Sequence, residues 1–201
     1  MSNLARFREI DSLRGLAVLL MVMVHAAAIW NPHNSAQSTW IAYLVAGLGG
    51  LAAPLFVTIF GWGLVRSKST TNGNIIKATI LLLLQLLVNL FSPHLFDPLT
   101  PGILSLFALL ILIKPLIVNM ANNNISFLVF SISIFLIYGL SSFIYNIQGT
   151  SDWDSRVSTN NLTILVSHLF LTGTYPLFPW ITFAVVGAFL GSSITEGGKT
   201  L

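Results

Sequence analysis

Six stretches of about twenty apolar residues, at approximately 12–31, 41–65, 75–92, 102–120, 125–145 and 176–193, follow one another along the chain. About 20 residues of helix, rising about 1.5 Å each, cross the hydrocarbon layer of a bilayer. Each stretch therefore predicts a membrane span. Charged residues make up only 7% of the 201 positions, against roughly 25% in soluble domains, which is too few to coat a water-soluble globule and excludes a soluble enzyme. The expected fold class is all-α, a polytopic membrane helix bundle of about six transmembrane helices. The apolar piece at 162–172 is too short to cross and predicts a re-entrant or interfacial helix. No repeat, linker or low-complexity tract divides the chain, so residues 1–201 read as a single integral membrane domain.

Basic residues set the expected orientation. Arg6, Arg8, Arg14, Arg66, Lys68, Lys77 and Lys199 fall on one side of a six-span arrangement, and Arg156 on the other. Because Lys and Arg favour cytoplasmic loops, both termini are expected in the cytoplasm, with the plasma membrane the expected location. Lys114, beside Pro115 in the inner half of the fourth span, is expected to snorkel to that same side. The net charge of +3 reflects this bias and is no footprint for nucleic acid, which is not an expected partner. Arg6 to Arg14 precede a long apolar run without a small-residue cleavage site, so the first span is expected to stay attached. Trp30, Trp40, Trp62 and Trp180 lie near span ends, where amphipathic rings anchor.

The same topology places His25, His33, His94 and His168 outside, together with Asp97, Asp152 and Asp154. Zinc motifs pair histidines a few residues apart, whereas the closest pair here, His25 and His33, is eight apart, so no metal is expected. The absence of cysteine excludes disulfides and thiolate nucleophiles. Asn161-Leu162-Thr163 fits a glycosylation acceptor, although a three-residue match arises readily by chance.

Within the first span, Arg14 and His25 are eleven positions and so only about 20° apart in azimuth, with Asp11 within about 60° of both. One stripe thus runs from an Asp/Arg pair to a histidine about 16 Å further along the axis. Ionisable groups inside a membrane usually face a bundle interior or a wet cavity; a salt-bridged helix start and a histidine at the headgroups account for the stripe equally well. Gln85 and Asn89, four apart in a run of leucines, share a face and suit interhelical hydrogen bonding or a cavity wall. Between Thr172 and Trp180, Gly173, Pro176 and Pro179 prevent a continuous helix.

Arg8-Glu9-Ile10-Asp11-Ser12-Leu13-Arg14-Gly15-Leu16-Ala17-Val18 followed by His25 resembles the opening of the transmembrane acyltransferases, the superfamily that holds heparan-alpha-glucosaminide N-acetyltransferase and the bacterial polysaccharide O-acetyltransferases. Ala53 to Leu64 is similar to the second-helix signature of that superfamily. Tyr175-Pro176-Leu177-Phe178-Pro179-Trp180, with Gly187 to Gly191, resembles the Phe-Pro-Trp helix of the heparan-type branch, and Pro101 to Leu104 is a weaker fourth match. The order is conserved over nearly the whole chain. The resemblance implies transfer of an acetyl group from cytoplasmic acetyl-CoA to a sugar or glycan amine or hydroxyl on the far side. It also implies that His25 or His33 is the catalytic base, and that Asp11 and Arg14 stand at the CoA end of the path. Asp97 and Trp180 are candidates for holding the sugar. Relatives commonly continue with further spans beyond the Phe-Pro-Trp helix, so the chain reads as a compact member, a shortened copy or one half of a homo-oligomer. Ser105 stands where the heparan branch usually has glutamine or histidine. The alternative function is a non-catalytic subunit of a membrane partner, or a permease of the same fold.

Overall fold

A computed structural model describes residues 7–29, 40–141 and 152–197. All regular structure among them is helical: α1 (Arg8–Ile29), α2 (Trp40–Arg66), α3 (Thr71–Phe91), α4 (Ile103–Leu112), α5 (Lys114–Asn122), α6 (Asn124–Ser141), α7 (Trp153–Val157), α8 (Leu162–Ser167), a π-helical turn at His168–Thr172, and α9 (Leu177–Gly197). The chain forms two compact units, Met1–Ile59 and Phe60–Leu201, with the division inside α2.

In the first unit α1 runs unbroken. It buries Ala17 and Leu20 and leaves Leu13, Leu16, Val18, Leu19 and Val22 exposed, the distribution of a helix whose surroundings are as apolar as its side chains. Gly49 of α2 is buried, and a Cβ there would meet the Val24 side chain at 2.7 Å, so the two helices approach at a position only glycine permits. Pro54 lies inside α2 and supplies no N–H to its ladder, while Thr58 donates its hydroxyl to the Pro54 carbonyl at 2.8 Å.

The second unit is organised by α3, which is polar inside and apolar outside. Its buried residues are Ala78, Gln85 and Asn89, while Leu82, Leu83, Leu84, Leu87, Val88 and Leu90 are exposed. Such an inversion is stable where the surroundings are hydrocarbon and unpaired polar groups are the costly ones. Thr70 starts the helix by accepting the Gly73 N–H at 3.2 Å. Helix α4 returns along α3, with Leu106, Ala108 and Leu110 fully buried and Phe107 stacked on Phe60 at 4.3 Å. Helix α9 carries the core of the other side: Ala184, Val185 and Ala188 are wholly buried, and Phe189 stacks on Phe127 of α6 at 4.2 Å. The Ser192 hydroxyl reaches the Ala121 carbonyl of α5 at 3.3 Å. Close approach of α2 to α9 depends on two glycines. A Cβ on Gly61 would collide with the Ala184 backbone carbonyl, and one on Gly191 would press on Trp62.

One expected span is broken, and the short apolar piece before α9 meets that helix at a bend. The stretch at 102–120 divides at Ile113 into α4 and α5, which meet at 69°. Pro115, at the start of α5, cannot donate to the preceding turn and its ring excludes the carbonyl four residues earlier. Lys114 does not simply extend along a continuous helix: its ammonium bonds the Ser67 carbonyl at 2.5 Å and the Ser69 hydroxyl at 3.4 Å, tying the break to the α2–α3 loop. The piece at 162–172 joins α9 across the turn at Gly173 with a 43° bend, as a broken span or a re-entrant loop. Phe178 is non-helical (φ −98°, ψ 116°) and precedes a cis bond to Pro179. Among the described residues three helices, Arg8–Ala27, Tyr43–Arg66 and Thr71–Phe91, are long and apolar enough to cross a membrane, and up to five spans result if each bent pair counts as one. The described residues thus supply three to five of the about six spans expected. Of the stretch at 125–145, helix α6 covers Asn124–Ser141.

Gly61 and Gly63 make a paired test of this packing, because a Cβ at Gly63 meets nothing within 4 Å. Gly61→Ala should cost about 1–3 kcal/mol by overpacking, whereas Gly63→Ala should be neutral or stabilising by up to about 1 kcal/mol through helix propensity. Thermal unfolding of the two variants in detergent reads the difference.

Candidate functional site

Asp11, Arg14 and His25, the described sequence candidates of the first unit, all sit on α1. Arg14 bonds Asp11 at 3.0 Å one turn apart, with both side chains substantially exposed. An ion pair of this kind contributes at most about 1 kcal/mol, so it orients the guanidinium more than it stabilises the helix. Ser12 donates its hydroxyl to the Arg8 carbonyl at 3.0 Å. His25 is exposed, and its Nδ1 lies 2.8 Å from the Met21 carbonyl, four residues earlier. A carbonyl only accepts, so Nδ1 carries the proton and a neutral ring keeps its lone pair on Nε2. Backbone geometry therefore fixes the tautomer and leaves the outer nitrogen basic. His33, Trp30, Arg6 and Lys199 lie outside the described residues.

In the second unit the polar groups gather at one end of the bundle, where the loop after α3, the segment around α7 and the turn before α9 meet. Gln85 donates to the Asn89 Oδ1 at 2.9 Å, and the Asn89 Nδ2 donates to the carbonyls of Pro98 at 3.0 Å and Thr100 at 2.8 Å. The two residues are thus not glue between spans; they bind a helix to its own exit loop. A Cβ on Gly102 would strike the Gln85 amide, so the loop comes in close. Thr100 is buried and donates its hydroxyl to the Val157 carbonyl, the Asp97 carboxylate accepts the Thr159 N–H at 2.7 Å, and Thr174 bonds the Pro101 carbonyl at 3.2 Å.

His168 closes the same cluster. It is buried in the π-helical turn, with Nε2 at 3.0 Å from the Ser158 carbonyl and Nδ1 at 2.8 Å from the Thr172 hydroxyl, which in turn contacts Ser167 at 2.9 Å. Single π turns inside helices are frequent at functional sites. Beside it lies a cavity of about 330 Å³ lined by Ser155, Arg156, Ser158, Ser167, His168 and Thr172, with Ile164 the one aliphatic wall. Trp180 is half-buried, its ring 5.2 Å from Tyr175 and 5.7 Å from Phe183. Asn161, the possible glycosylation acceptor, uses its side chain to cap α8 by accepting the Ile164 N–H at 2.8 Å. Among the described residues no three His, Asp or Glu side chains group so as to hold a metal.

The structure brings Asp97 and His168 into one network, through adjacent residues Thr159 and Ser158. Sequence reasoning noticed both residues without joining them, and it gave no role to Thr100 or Ser158, which join the network through backbone carbonyls, or to Thr172, whose partners His168 and Ser167 lie about one turn away.

Residues 6–200 match the family described as heparan-alpha-glucosaminide N-acetyltransferase, catalytic. The chain belongs to this family. No curated protein and no solved structure matches it. Family membership, together with the apolar helices, makes the chain an integral membrane protein of an acetyltransferase family, and the matched region takes in α1 with its polar stripe as well as the His168 cluster.

Asn89→Leu leaves two loop carbonyls and the Gln85 amide without their partner. With each buried unsatisfied group costing about 1–3 kcal/mol, the variant should lose about 2–4 kcal/mol of stability. Hydrogen exchange should rise selectively over 92–102, a pattern distinct from the global loosening that a core cavity would give.

Proposed function

We propose that this family member moves an acetyl group from cytoplasmic acetyl-CoA to the amine or hydroxyl of a sugar at the opposite membrane face, with His25 as general base. The observation that carries this reading is the Nδ1 bond of His25 to the Met21 carbonyl, which leaves Nε2 as a basic nitrogen on an exposed face of the helix. His25 also stands at the spacing from the Asp11/Arg14 motif at which the O-acetyltransferase branch carries its histidine, whereas the heparan-type branch has one in the first outer loop, where His33 stands.

Nε2 takes the proton of the acceptor N–H or O–H as its heteroatom attacks the thioester carbonyl. The new C–N or C–O bond forms, the C–S bond breaks, and the proton passes from Nε2 to the departing CoA sulfur or to water. Meanwhile the Met21 carbonyl steadies the imidazolium through Nδ1. About 16 Å of helix separates His25 from Arg14, a span suited to a donor with phosphates at one end and a thioester at the other. Arg14, braced by Asp11, would meet those phosphates. His33 is the second candidate base, and Asp97 and Trp180 are the candidates for holding the sugar. In this reading both termini face the cytoplasm, and the membrane is the plasma membrane.

Acetyl transfer from labelled acetyl-CoA by the purified protein in proteoliposomes, offered glucosamine and a mixed glycan pool, tests the proposal. His25→Ala should lower the rate by about 10²–10⁴-fold, the usual worth of a positioned base, and His33→Ala should leave most of it. Loss in His33→Ala alone would move the base to the loop. No transfer and no saturable acetyl-CoA binding would instead favour a non-catalytic subunit.

A further inference from the structure

The break between α4 and α5 holds ammonium groups to which no described side chain supplies a counter-charge. Lys114, half-buried at that break, spends two of its three N–H bonds on the Ser67 carbonyl at 2.5 Å and the Ser69 hydroxyl at 3.4 Å. Ser69 passes its own proton to the Asn74 Oδ1 at 2.5 Å and contacts the Ser67 hydroxyl at 3.0 Å, so the partners of this cation are neutral. Lys77, exposed on α3, is near enough to repel Lys114. Arg66 is engaged elsewhere, with its guanidinium 4.9 Å over the Trp62 ring. Among the described side chains of this unit, the carboxylates of Asp97, Asp152 and Asp154 stand at the far end of α3, in the loop that follows it and in the segment whose Trp153 meets Phe96 at 6.0 Å. Like charges held together with neutral partners favour an anion beside them.

The face of α3 that carries Lys77 continues as hydrocarbon. Ile80, Leu84, Leu87 and Phe91 follow at alternating spacings of three and four residues, which aligns them along one side of the helix, and each is exposed. The buried side of α3, at Ala78, Gln85 and Asn89, is turned elsewhere. Leu112 and Leu116, two residues either side of Lys114, are exposed as well. We infer that Lys77 and Lys114 hold the phosphate of an anionic phospholipid whose acyl chain lies along the Ile80, Leu84 and Leu87 ridge. A cation pair at one end of about 20 Å of apolar helix surface matches an amphiphile with an anionic head, whereas a soluble phosphate would use the head alone. A lipid with net negative charge is favoured over a zwitterionic one, which brings its own cation to the lysines. The site involves neither α1 nor the acetyl donor, so it goes beyond the transfer reaction and stands or falls apart from it.

Native mass spectrometry of the full chain in detergent, titrated with phosphatidylglycerol and with phosphatidylcholine of the same acyl chains, tests the inference without any acetyl transfer. Phosphatidylglycerol should bind about tenfold tighter or more, as two surface lysines at about fivefold each allow, and neither inorganic phosphate nor coenzyme A should displace it. A short-chain phosphatidylglycerol, which leaves the ridge uncovered, should bind severalfold more weakly. Lys77→Gln, at an exposed position, should cost about fivefold in phosphatidylglycerol affinity and leave phosphatidylcholine unaffected, and adding Lys114→Gln should abolish the preference. Lys68→Gln removes the same charge from the neighbouring loop but outside the pair, and should cost much less. Equal binding of the two lipids, displacement by phosphate or coenzyme A, or no dependence on chain length would overturn the inference. So would equal losses in Lys77→Gln and Lys68→Gln, the mark of a diffuse basic surface. If the Lys114→Gln protein does not fold, the comparison of Lys77→Gln with Lys68→Gln still decides the matter.

Discussion

The amide of Asn89 is the point on which the polar end of the second unit depends. Its NH2 group satisfies two backbone carbonyls of the loop after α3, and its oxygen takes the proton of Gln85. In water such bonds would exchange with solvent and be worth little net. In surroundings without water the alternative is a bare carbonyl, and a side-chain amide becomes a structural bolt. The loop so held supplies Asp97 and Thr100, whose bonds to Thr159 and Val157 fix the segment that presents the Ser158 carbonyl to His168. Each step transfers a fixed position from a helix to a stretch with no regular structure of its own.

Long uniform features were legible in the sequence. The apolar runs of α1, α2 and α3 are long enough to read as spans, and Gly173, Pro176 and Pro179 announced the break before α9. Pro115 carried an equally plain signal, yet the surrounding run from Ile103 to Met120 is so apolar that length outweighed it, and one span was expected where two helices meet at 69°. The polar stripe of α1 was readable because helical periodicity is local. So was the face shared by Gln85 and Asn89, but not its use, since the carbonyls it binds lie nine and eleven residues further on. Thr100 and Asp97 find their partners 57 and 62 residues away. Nothing in a threonine or an aspartate tells which distant backbone atom it will meet.

The two best-defined histidines illustrate how little residue type says about role. Both have one ring nitrogen on a backbone carbonyl, and the nitrogen chosen is opposite. His25 gives its Nδ1 proton to its own helix and turns a basic Nε2 outward, whereas His168 gives its Nε2 proton to Ser158 and engages Nδ1 with Thr172. A base must have a lone pair that a substrate proton can reach, and by that criterion His25 qualifies. His168, buried and bonded at both nitrogens, acts on its neighbours instead, by deciding which way their hydroxyls point.

Broken helices also fall where this chemistry needs them. Non-helical backbone at membrane depth is tolerated only when it is buried in protein or borders an aqueous cavity. Gly173 and Phe178 lie in the break between the π-helical turn and the regular part of α9, next to the residues that line the His168 cavity. A Cβ on Gly173 would collide with the His168 carbonyl, so the return of the chain toward α9 and the placement of the imidazole are one constraint. Had the helix run straight from Leu162 into α9, the Thr172 hydroxyl would have had the backbone of its own helix as its nearest acceptor, and His168 would have lost that partner at Nδ1. The break in the span and the placement of the His168 ring therefore arise from the same few residues.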